Sequence, residues 1–315
     1  MRKGRALRDV YGEALKKYGA QNENVVVLDA DVSSSTKSSI FAEAFPERFF
    51  NVGIAEANMV HMAAGLATTG KIPFVNTFAV FLTSIGLIGA RAFGSYSQLN
   101  LRLMGGYGGL SDAFDGPSHH SLEDVAIMRA LPHFQVFVAS DEVLTDWLVK
   151  NAIETEGPMY IRLSRDSTLN LYEPGTEFQT GKGMIVREGS DATIIACGVM
   201  VGQAVLAAEE LAQDGISVRV VDMFTIKPID RELIIESAEQ TGVIITAEEH
   251  NIYGGLGGAV AEVLTASGVK AIQKFVGVQD VHAESGPYDE LLQRYGLGVD
   301  SVAQAVKEAL VQKRG

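Results

Sequence analysis

The chain has 315 residues, of which 47% are hydrophobic, so it is long enough to form two domains with large apolar cores. Its 26 basic and 39 acidic residues give a net charge of -13, which argues against nucleic acid as a partner. The single cysteine, Cys197, excludes a disulfide framework and a cysteine-based metal site, and it fits a cytoplasmic protein.

The first predicted elements are an amphipathic helix and a strand. The start, MRKGRALRDVYGEALKKYG, contains acidic residues and therefore resembles neither a secretory signal nor a transit peptide. A strand is predicted over residues 24–28. The acids and hydroxyls of residues 29–36, DADVSSST, follow it directly, at the edge of the sheet where α/β folds bind ligands.

The run FFNVGIAEANMVHMAAG, residues 49–65, places one carboxyl group, that of Glu56, among apolar side chains. Apolar surroundings disfavour the ionised form of a carboxyl group, so we expect Glu56 to keep its proton near neutral pH and to donate a hydrogen bond. A helix is predicted over residues 57–66, which leaves a second interpretation open: Glu56 caps the first turn of that helix.

Residues 72–90 carry no charge, but a proline, two glycines and several polar side chains interrupt them. The pattern predicts a strand, over residues 73–76, and a helix rather than a membrane span. Phe78 and Phe81 lie three residues apart and would share a face at helical spacing. Beside a protonated acid they would form a slot for a flat heteroaromatic ring, and ordinary core packing is the alternative interpretation.

A glycine-rich loop, residues 104–121, follows a strand predicted over residues 99–104. It combines backbone freedom with polar side chains, which is typical of a binding or catalytic loop. Its side chains with functional chemistry are Tyr107, Asp112, Asp115, His119 and His120. Adjacent histidines point in different directions and no third ligand follows by spacing, so no metal site is predicted.

Strands are then predicted over residues 135–138 and 159–163, and Arg165 follows the second of them, where a guanidinium could hold a phosphate or carboxylate. An irregular stretch, residues 166–183, interrupts the alternation of strands and helices. The sequence therefore predicts an α/β protein of two domains, residues 1–175 and 185–315, each a mostly parallel sheet flanked by helices.

In the second domain the alternation resumes with strands over residues 191–197, 217–222, 242–247 and 271–276 and helices over residues 200–214, 230–240 and 257–266. The run YGGLGGAVAEVL, residues 253–264, looks like a dinucleotide-binding loop. Its glycines do not have the spacing of that motif, and close packing of a helix on a strand also explains them.

Several of these runs together resemble transketolases, enzymes that depend on thiamine diphosphate. The likeness extends from about residue 8 to about residue 310, in the order and near the spacing of the C-terminal half of that family. The runs that carry it are LDADVSSST, FFNVGIAEANMV, PFVNTFAVF, DGPSHHSLEDVAIMRALP, YIRLSR, DMFTIKPID and EEHNIYGGLGGAV.

The resemblance implies a pyrimidine-binding domain followed by a C-terminal transketolase domain. Glu56 matches the glutamate that hydrogen-bonds the aminopyrimidine of the cofactor and helps to generate its nucleophilic carbon. Phe78 and Phe81 match the aromatic residues that stack on that ring, and Asp31 matches a residue near it. Ser35 and Arg165 match groups that hold the sugar phosphate, whereas Asp115 and His119 match groups that contact the donor hydroxyls, His119 with a catalytic role.

The motif G-D-G, with which the family holds the diphosphate and its Mg2+ or Ca2+, is not present in the sequence. The resemblance therefore implies that an N-terminal transketolase subunit supplies the diphosphate-binding domain. We expect one subunit of a split enzyme, assembled as an α2β2 heterotetramer in the cytoplasm and serving the pentose phosphate pathway.

The glycine loop departs from the family pattern. Tyr107 stands where the family carries a substrate-contacting histidine, Ser84 replaces a third aromatic residue, and AFD at residues 113–115 replaces a more common GED. A neutral hydroxyl in place of an imidazole puts the identity of the ketose and the aldose in question.

The function implied is transfer of a two-carbon ketol unit from a ketose phosphate to an aldose phosphate through a covalent thiamine adduct. The alternative is the β subunit of a 2-oxo acid dehydrogenase, which has the same two domains and the same glutamate. Deoxyxylulose phosphate synthase, which is normally one long chain, a non-catalytic subunit and a nicotinamide-dependent dehydrogenase are the remaining interpretations.

Overall fold

The computed structural model describes residues 3–314, which form two α/β units joined by an irregular segment. This confirms the predicted fold class. The strands of the first half are β1 (Lys3–Ala6), β2 (Val25–Asp29), β3 (Phe49–Asn51), β4 (Ile72–Phe78), β5 (Arg102–Gly106), β6 (Gln135–Val138), β7 (Met159–Arg162) and β8 (Ser167–Leu169). Its helices are α1 (Leu7–Gly19), α2 (Ser33–Thr36), α3 (Ser39–Ala44), α4 (Glu56–Ala67), α5 (Ala79–Ser84), α6 (Leu87–Gly89), α7 (Asp124–Ala130) and α8 (Glu142–Glu154). A 3-10 turn at Pro46–Arg48 and a π-helical segment at Ala90–Tyr96 lie between them.

The second half contains the strands β9 (Met184–Arg187), β10 (Ala192–Ala196), β11 (Val218–Asp222), β12 (Thr225–Lys227), β13 (Val243–Asn251) and β14 (Ile272–Val278). Its helices are α9 (Val199–Gln213), α10 (Arg231–Thr241), α11 (Leu256–Ser267), α12 (Tyr288–Arg294) and α13 (Val299–Arg314). Apolar side chains of both sheets and of their flanking helices form the cores, as expected for strands that are covered on both faces.

Within the described range, the first sheet has seven strands in the order β12-β6-β7-β5-β4-β2-β3. All neighbours are parallel except β12, which pairs antiparallel with β6. The parallel strands run as one block, so their carboxyl ends lie at the same edge of the sheet. The five-stranded second sheet, also counted within residues 3–314, has the order β14-β13-β10-β11-β9, with only β9 antiparallel to its neighbour.

The strands missed by the sequence analysis are the short ones. β3, β8 and β12 have three residues each, and β1 and β9 have four, too few for an apolar run to stand out. β12 also belongs to the first sheet although it follows the predicted domain boundary. The two halves are therefore joined by strand pairing as well as by side-chain contacts.

The linking segment is held to both halves. β8 pairs antiparallel with β1, and the backbone N–H groups of Leu171 and Tyr172 donate hydrogen bonds to Asp141 at 3.0 and 2.9 Å. The Tyr172 hydroxyl donates to Asp222 at 2.8 Å, and Ser140 donates to the same carboxylate oxygen. Burial raises the pKa of Asp222 to about 7.

The uncharged run at residues 72–90 forms β4, α5, α6 and the start of the π-helical segment. Within the described part of the chain, no helix has the length and apolar character needed to cross a bilayer.

Candidate functional site

The residues singled out in the sequence follow the carboxyl ends of five neighbouring parallel strands. In sheet order these are β7, β5, β4, β2 and β3. Arg165 follows β7, the glycine loop follows β5, Phe78 ends β4, the DADVSSST segment includes the end of β2, and Glu56 follows β3. Ligands in open α/β sheets bind at this edge, so this is the candidate site.

Glu56 is the first residue of α4 and is 5% exposed. The N-cap position of α4 is Ala55 and no side chain caps the helix by a hydrogen bond, so Glu56 can act on the helix only as a first-turn acid, and this second interpretation stays open. Glu56 lies in the first turn, where the helix dipole still favours a negative charge. Helix α4 packs against β4, which ends at Phe78.

An aromatic cluster forms beside β4. Phe78 and Phe81 have ring centroids 5.9 Å apart with planes inclined by 27°. The prediction that both lie on one helix is wrong, because Phe78 is the last residue of β4 and Phe81 lies in the first turn of α5. The turn between strand and helix nevertheless brings the rings together. The Tyr107 ring stacks on Phe78 at 4.4 Å, and the His119 ring meets Phe81 edge-on at 5.2 Å.

Asp31 and Ser35 lie in the segment after β2. Asp31 is exposed, adopts a positive φ of 67° and accepts a hydrogen bond from the Asn51 side chain at 2.8 Å. Ser35 is half-buried, and its carbonyl oxygen lies 3.4 Å from the Tyr107 hydroxyl. The segment is shaped by Asp29, which accepts hydrogen bonds from Val32 N–H, Thr36 and Ser38 at 2.7, 2.9 and 2.8 Å.

Two arginines flank Tyr107, and one of them, Arg8, was missed in the sequence. Tyr107 is buried with a positive φ of 59°, an uncommon conformation for a residue with a side chain. Arg8 of α1 donates a hydrogen bond to the Tyr107 hydroxyl. The guanidinium carbons of Arg8 and Arg165 lie 5.6 and 5.4 Å from the centroid of the ring. The site thus carries two positive charges, one of which comes from the N-terminal helix.

Asp112 is the second residue whose environment only the structure reveals. Its side chain is fully buried, and its Oδ1 lies 3.4 Å from Arg165 Nη1. Burial, followed by the charge of Asp115, raises the pKa of Asp112 to about 7. Asp115 itself is exposed on the outer side of the loop. The site therefore holds a carboxyl group whose charge changes near neutral pH.

The glycine loop is anchored to the second half of the chain by Glu249 of β13. Glu249 Oε1 accepts hydrogen bonds from Leu110 N–H at 2.7 Å and from the Tyr288 hydroxyl at 2.9 Å. Gly109 has a positive φ of 68°, and a Cβ atom there would lie 2.2 Å from Glu249 Cδ, so glycine is required. Burial raises the pKa of Glu249 to about 7.

A buried arginine, Arg162, braces the same junction. It donates to the carbonyl oxygens of Ser121 and Glu249 at 3.1 and 2.7 Å, and its Nε lies 3.3 Å from Asp124. The Tyr160 hydroxyl donates to Asp124 at 2.6 Å. The two ends of the glycine loop are thereby fixed, while residues 112–119 carry the side chains of the site.

The adjacent histidines separate as predicted: His119 is half-buried beside the aromatic cluster, whereas His120 is buried on the inner side of the loop, where burial lowers its pKa. Among residues 3–314, no group of three or more histidine, cysteine or acidic side chains is arranged to hold a metal ion.

The GGLGG run serves the packing of α11. Glu248 accepts hydrogen bonds from Leu256 and Gly257 N–H at 2.7 and 2.8 Å, which caps the helix. A Cβ atom at Gly255 would lie 2.0 Å from Glu248 Oε2, and one at Gly257 would lie 2.4 Å from the Phe275 ring. Close packing therefore explains these glycines.

Comparison with known proteins gives two family matches. The model of the transketolase pyrimidine-binding domain matches residues 3–169, and that of the transketolase C-terminal domain matches residues 181–302. A protein of Methanocaldococcus jannaschii named as a transketolase C-terminal section is 44% identical over 308 residues, 97% of this chain and 96% of its own length. A 6-deoxy-6-sulfo-D-fructose transketolase subunit of Clostridium sp. strain MSTE9 is 38% identical over 307 residues, 98% of this chain and 95% of that subunit.

Human transketolase is 40% identical over 312 residues, and this chain spans 48% of its length. Among solved structures, a split-gene transketolase described as an inactive beta4 tetramer superimposes with a TM-score of 0.92 at 49% identity, covering 99% of this chain and 100% of the other.

Proposed function

The chain belongs to the transketolase family as the C-terminal subunit of a split enzyme, and we propose that it transfers a two-carbon ketol unit from a ketose phosphate to an aldose phosphate. One observation carries the proposal. A buried carboxyl group, an aromatic pair, a polar loop and Arg165 follow the carboxyl ends of neighbouring parallel strands, and Arg8 of α1 joins Arg165 beside Tyr107 on that loop.

The residues present fit the aminopyrimidine half of thiamine diphosphate. Phe78 and Phe81 form an aromatic pair in which the half-buried Phe81 can offer a ring face to a flat heterocycle, and the buried position of Glu56 suits a carboxyl group that exchanges a proton with a ring nitrogen. When bound, thiamine diphosphate supplies the nucleophilic carbon that carries the ketol unit. Glu56 would hold the proton on the pyrimidine, the aromatic pair would fix the plane of the ring, and Asp31 would lie at its border.

The other residues would bind the sugar. Arg8 and Arg165 present two guanidinium groups beside Tyr107, which suits the anionic end of a sugar phosphate. The backbone carbonyl of Ser35 lies at the same tyrosine hydroxyl, and the Ser35 hydroxyl would add a hydrogen bond to the phosphate. Asp115, exposed on the loop, and His119, half-buried on it, would contact the donor hydroxyls. His119, next to the aromatic pair, would move the proton of a reacting hydroxyl as general acid or base.

The diphosphate and its Mg2+ or Ca2+ would be held by an N-terminal subunit, in an α2β2 assembly. The related split-gene protein was described as an inactive tetramer of β chains alone, which supports a need for a partner. An apolar face next to Glu56 also supports it, since Ile54, Met62, Ile85 and Ile88 are exposed around α4 to α6. We assign this face, called here the α4–α6 face, to contact with the N-terminal subunit.

Reconstitution tests the proposal. The chain is mixed with an N-terminal subunit carrying the G-D-G motif, thiamine diphosphate and Mg2+, and ketol transfer from fructose 6-phosphate to an aldose phosphate is followed. We expect activity only with both subunits, and a loss of 100-fold or more for Glu56→Ala. The control is Glu43→Ala, at an exposed position on α3. Full activity of Glu56→Ala would exclude the mechanism.

A 2-oxo acid dehydrogenase subunit was the alternative from sequence. The 6-deoxy-6-sulfo-D-fructose transketolase subunit covers nearly the same length as this chain and supports the ketol-transfer reading instead. Oxidative decarboxylation of a 2-oxo acid by the reconstituted complex, without ketol transfer, would reverse the choice.

A further inference from the structure

Asp112 has no place in the function proposed above, although it lies inside the site. Its carboxyl group is fully buried on the loop that carries Asp115 and His119. One oxygen lies 3.4 Å from Arg165 Nη1, and a hydrogen bond between the Asp112 and Asp115 carboxyl groups favours the protonated form of Asp112. A buried carboxyl group of this kind is costly to maintain unless it acts on its neighbours.

Arg165 is the group on which Asp112 acts. The Arg165 side chain is one-third exposed, at 34%, and its backbone N–H is fixed by a hydrogen bond to Ser111 Oγ at 3.2 Å. Its guanidinium carbon lies 5.4 Å from the centroid of the Tyr107 ring. Any anion bound by Arg165 therefore shares that guanidinium with the Asp112 carboxyl group.

We propose that Asp112 is a specificity-determining residue that lowers the preference of the site for a doubly charged phosphate terminus relative to a singly charged sulfonate or an uncharged hydroxyl. The proposal rests on the proposed function, because it assumes that Arg165 binds the terminal group of the ketose. A full negative charge on Asp112 should lower the affinity for a ligand next to Arg165 by a factor on the order of ten for each negative charge that the ligand carries.

The charge on Asp112 depends on the groups that face it. These are Asp115 on its own loop, Arg165 after β7 and Arg8 on α1. Burial and Asp115 raise the pKa of Asp112, whereas the two arginines lower it, and the outcome is about 7. Below this value Asp112 is neutral and leaves Arg165 available; above it, Asp112 is charged. Discrimination against negative charge should therefore increase between pH 6 and pH 8.

The first experiment uses the reconstituted complex with three donors, fructose 6-phosphate, 6-deoxy-6-sulfofructose and fructose, and one aldose phosphate acceptor. The variant is Asp112→Asn, which keeps an oxygen for Arg165 but removes the charge. We expect the ratio of kcat/KM for phosphate over sulfonate to rise about tenfold at pH 8, and by much less at pH 6. An unchanged or lower ratio would overturn the proposal, and a lower ratio would mean that Asp112 only positions Arg165.

A second measurement needs no variant and covers the case in which Asp112→Asn does not fold. A sulfonate keeps one charge between pH 6 and pH 8, so the wild-type ratio of kcat/KM for sulfonate over hydroxyl reports the site alone. We expect this ratio to fall several-fold over that range as Asp112 ionises. A ratio that stays constant would overturn the proposal.

Binding separates this inference from the proposed function. The affinity of the complex for inorganic phosphate and for methanesulfonate is measured by calorimetric titration. Replacement of Asp112 by asparagine should raise the affinity for phosphate more than the affinity for methanesulfonate. If the complex catalyses no ketol transfer but shows this gain, the proposed function fails and the role of Asp112 stands. If neither affinity changes in an active complex, the role of Asp112 fails alone.

Discussion

Replacement of Glu249 by glutamine should remove a pH-dependent loss of stability. In the folded chain Glu249 is buried, and its pKa is raised from 4.5 to about 7, mainly by burial. Between these two pH values the unfolded chain has released the proton and the folded chain still holds it. Unfolding then releases a proton, so a rise in pH favours unfolding. Between pH 5.5 and pH 8.5, proton linkage at this one group should lower the free energy of unfolding by about 2 kcal/mol.

Glutamine keeps an oxygen for Leu110 N–H and the Tyr288 hydroxyl, which lie 2.7 and 2.9 Å from the carboxylate, and it cannot ionise. At pH 5.5 the folded wild type still carries a neutral Glu249, but its unfolded chain has already released most of this proton, so linkage favours the variant by about 1–2 kcal/mol. The exchange of a carboxyl for an amide in the two hydrogen bonds should change this difference by less than about 1 kcal/mol. The free energy of unfolding of the variant, relative to the wild type at the same pH, should be about 2 kcal/mol higher at pH 8.5 than at pH 5.5.

Urea denaturation followed by circular dichroism at both pH values measures the difference, with equal slopes required for comparison. Asp112 and Asp222 also have raised pKa values, so each variant is compared with the wild type at the same pH to isolate Glu249. The control is Glu290→Gln, at an exposed position on α12, which should leave the pH dependence unchanged. A difference between wild type and Glu249→Gln that is the same at both pH values would refute the reasoning.

Three further predictions concern the linker, the subunit contact and the cofactor slot. Tyr172→Phe removes the hydroxyl donor that lies 2.8 Å from Asp222. The change should lower the free energy of unfolding by about 1–3 kcal/mol and speed proteolysis within residues 166–183. An unchanged midpoint of urea unfolding and an unchanged rate of cleavage would contradict this prediction. Ile88→Glu places a charge on the α4–α6 face and should abolish association with the N-terminal subunit in sedimentation experiments. The control Val311→Glu, at an exposed position on α13, should leave the association intact. Equal behaviour of the two variants would count against the assignment of this face. Phe81→Ala should weaken the binding of thiamine diphosphate to the complex about tenfold, because it removes one ring of the aromatic pair. The control Tyr253→Ala removes an exposed aromatic side chain and should leave the affinity unchanged. An unaltered affinity of Phe81→Ala would exclude Phe81 from the slot.

The sequence by itself determined the α/β class and most of the regular elements. The strand predicted over residues 135–138 agrees with β6, and the helix over residues 57–66 lies within α4. These predictions succeed because buried parallel strands and their helices each leave a local pattern of apolar residues long enough to recognise. Glu56 and the phenylalanine pair also stood out locally, and their roles remain predictions for the experiments above.

Only the tertiary structure decided which distant side chains meet. Arg8 bonds to Tyr107 across 99 positions of the chain, and Leu110 bonds to Glu249 across 139. No local pattern marks Arg8 or Glu249, because an arginine on an amphipathic helix and a glutamate in a strand have many possible surroundings. The order of the strands, with β5 between β4 and β7, and the junction between the two halves place these groups at the glycine loop. The same burial that raises the pKa values of Asp112 and Glu249 arises from this packing, so their chemistry is a property of the fold rather than of the sequence around them.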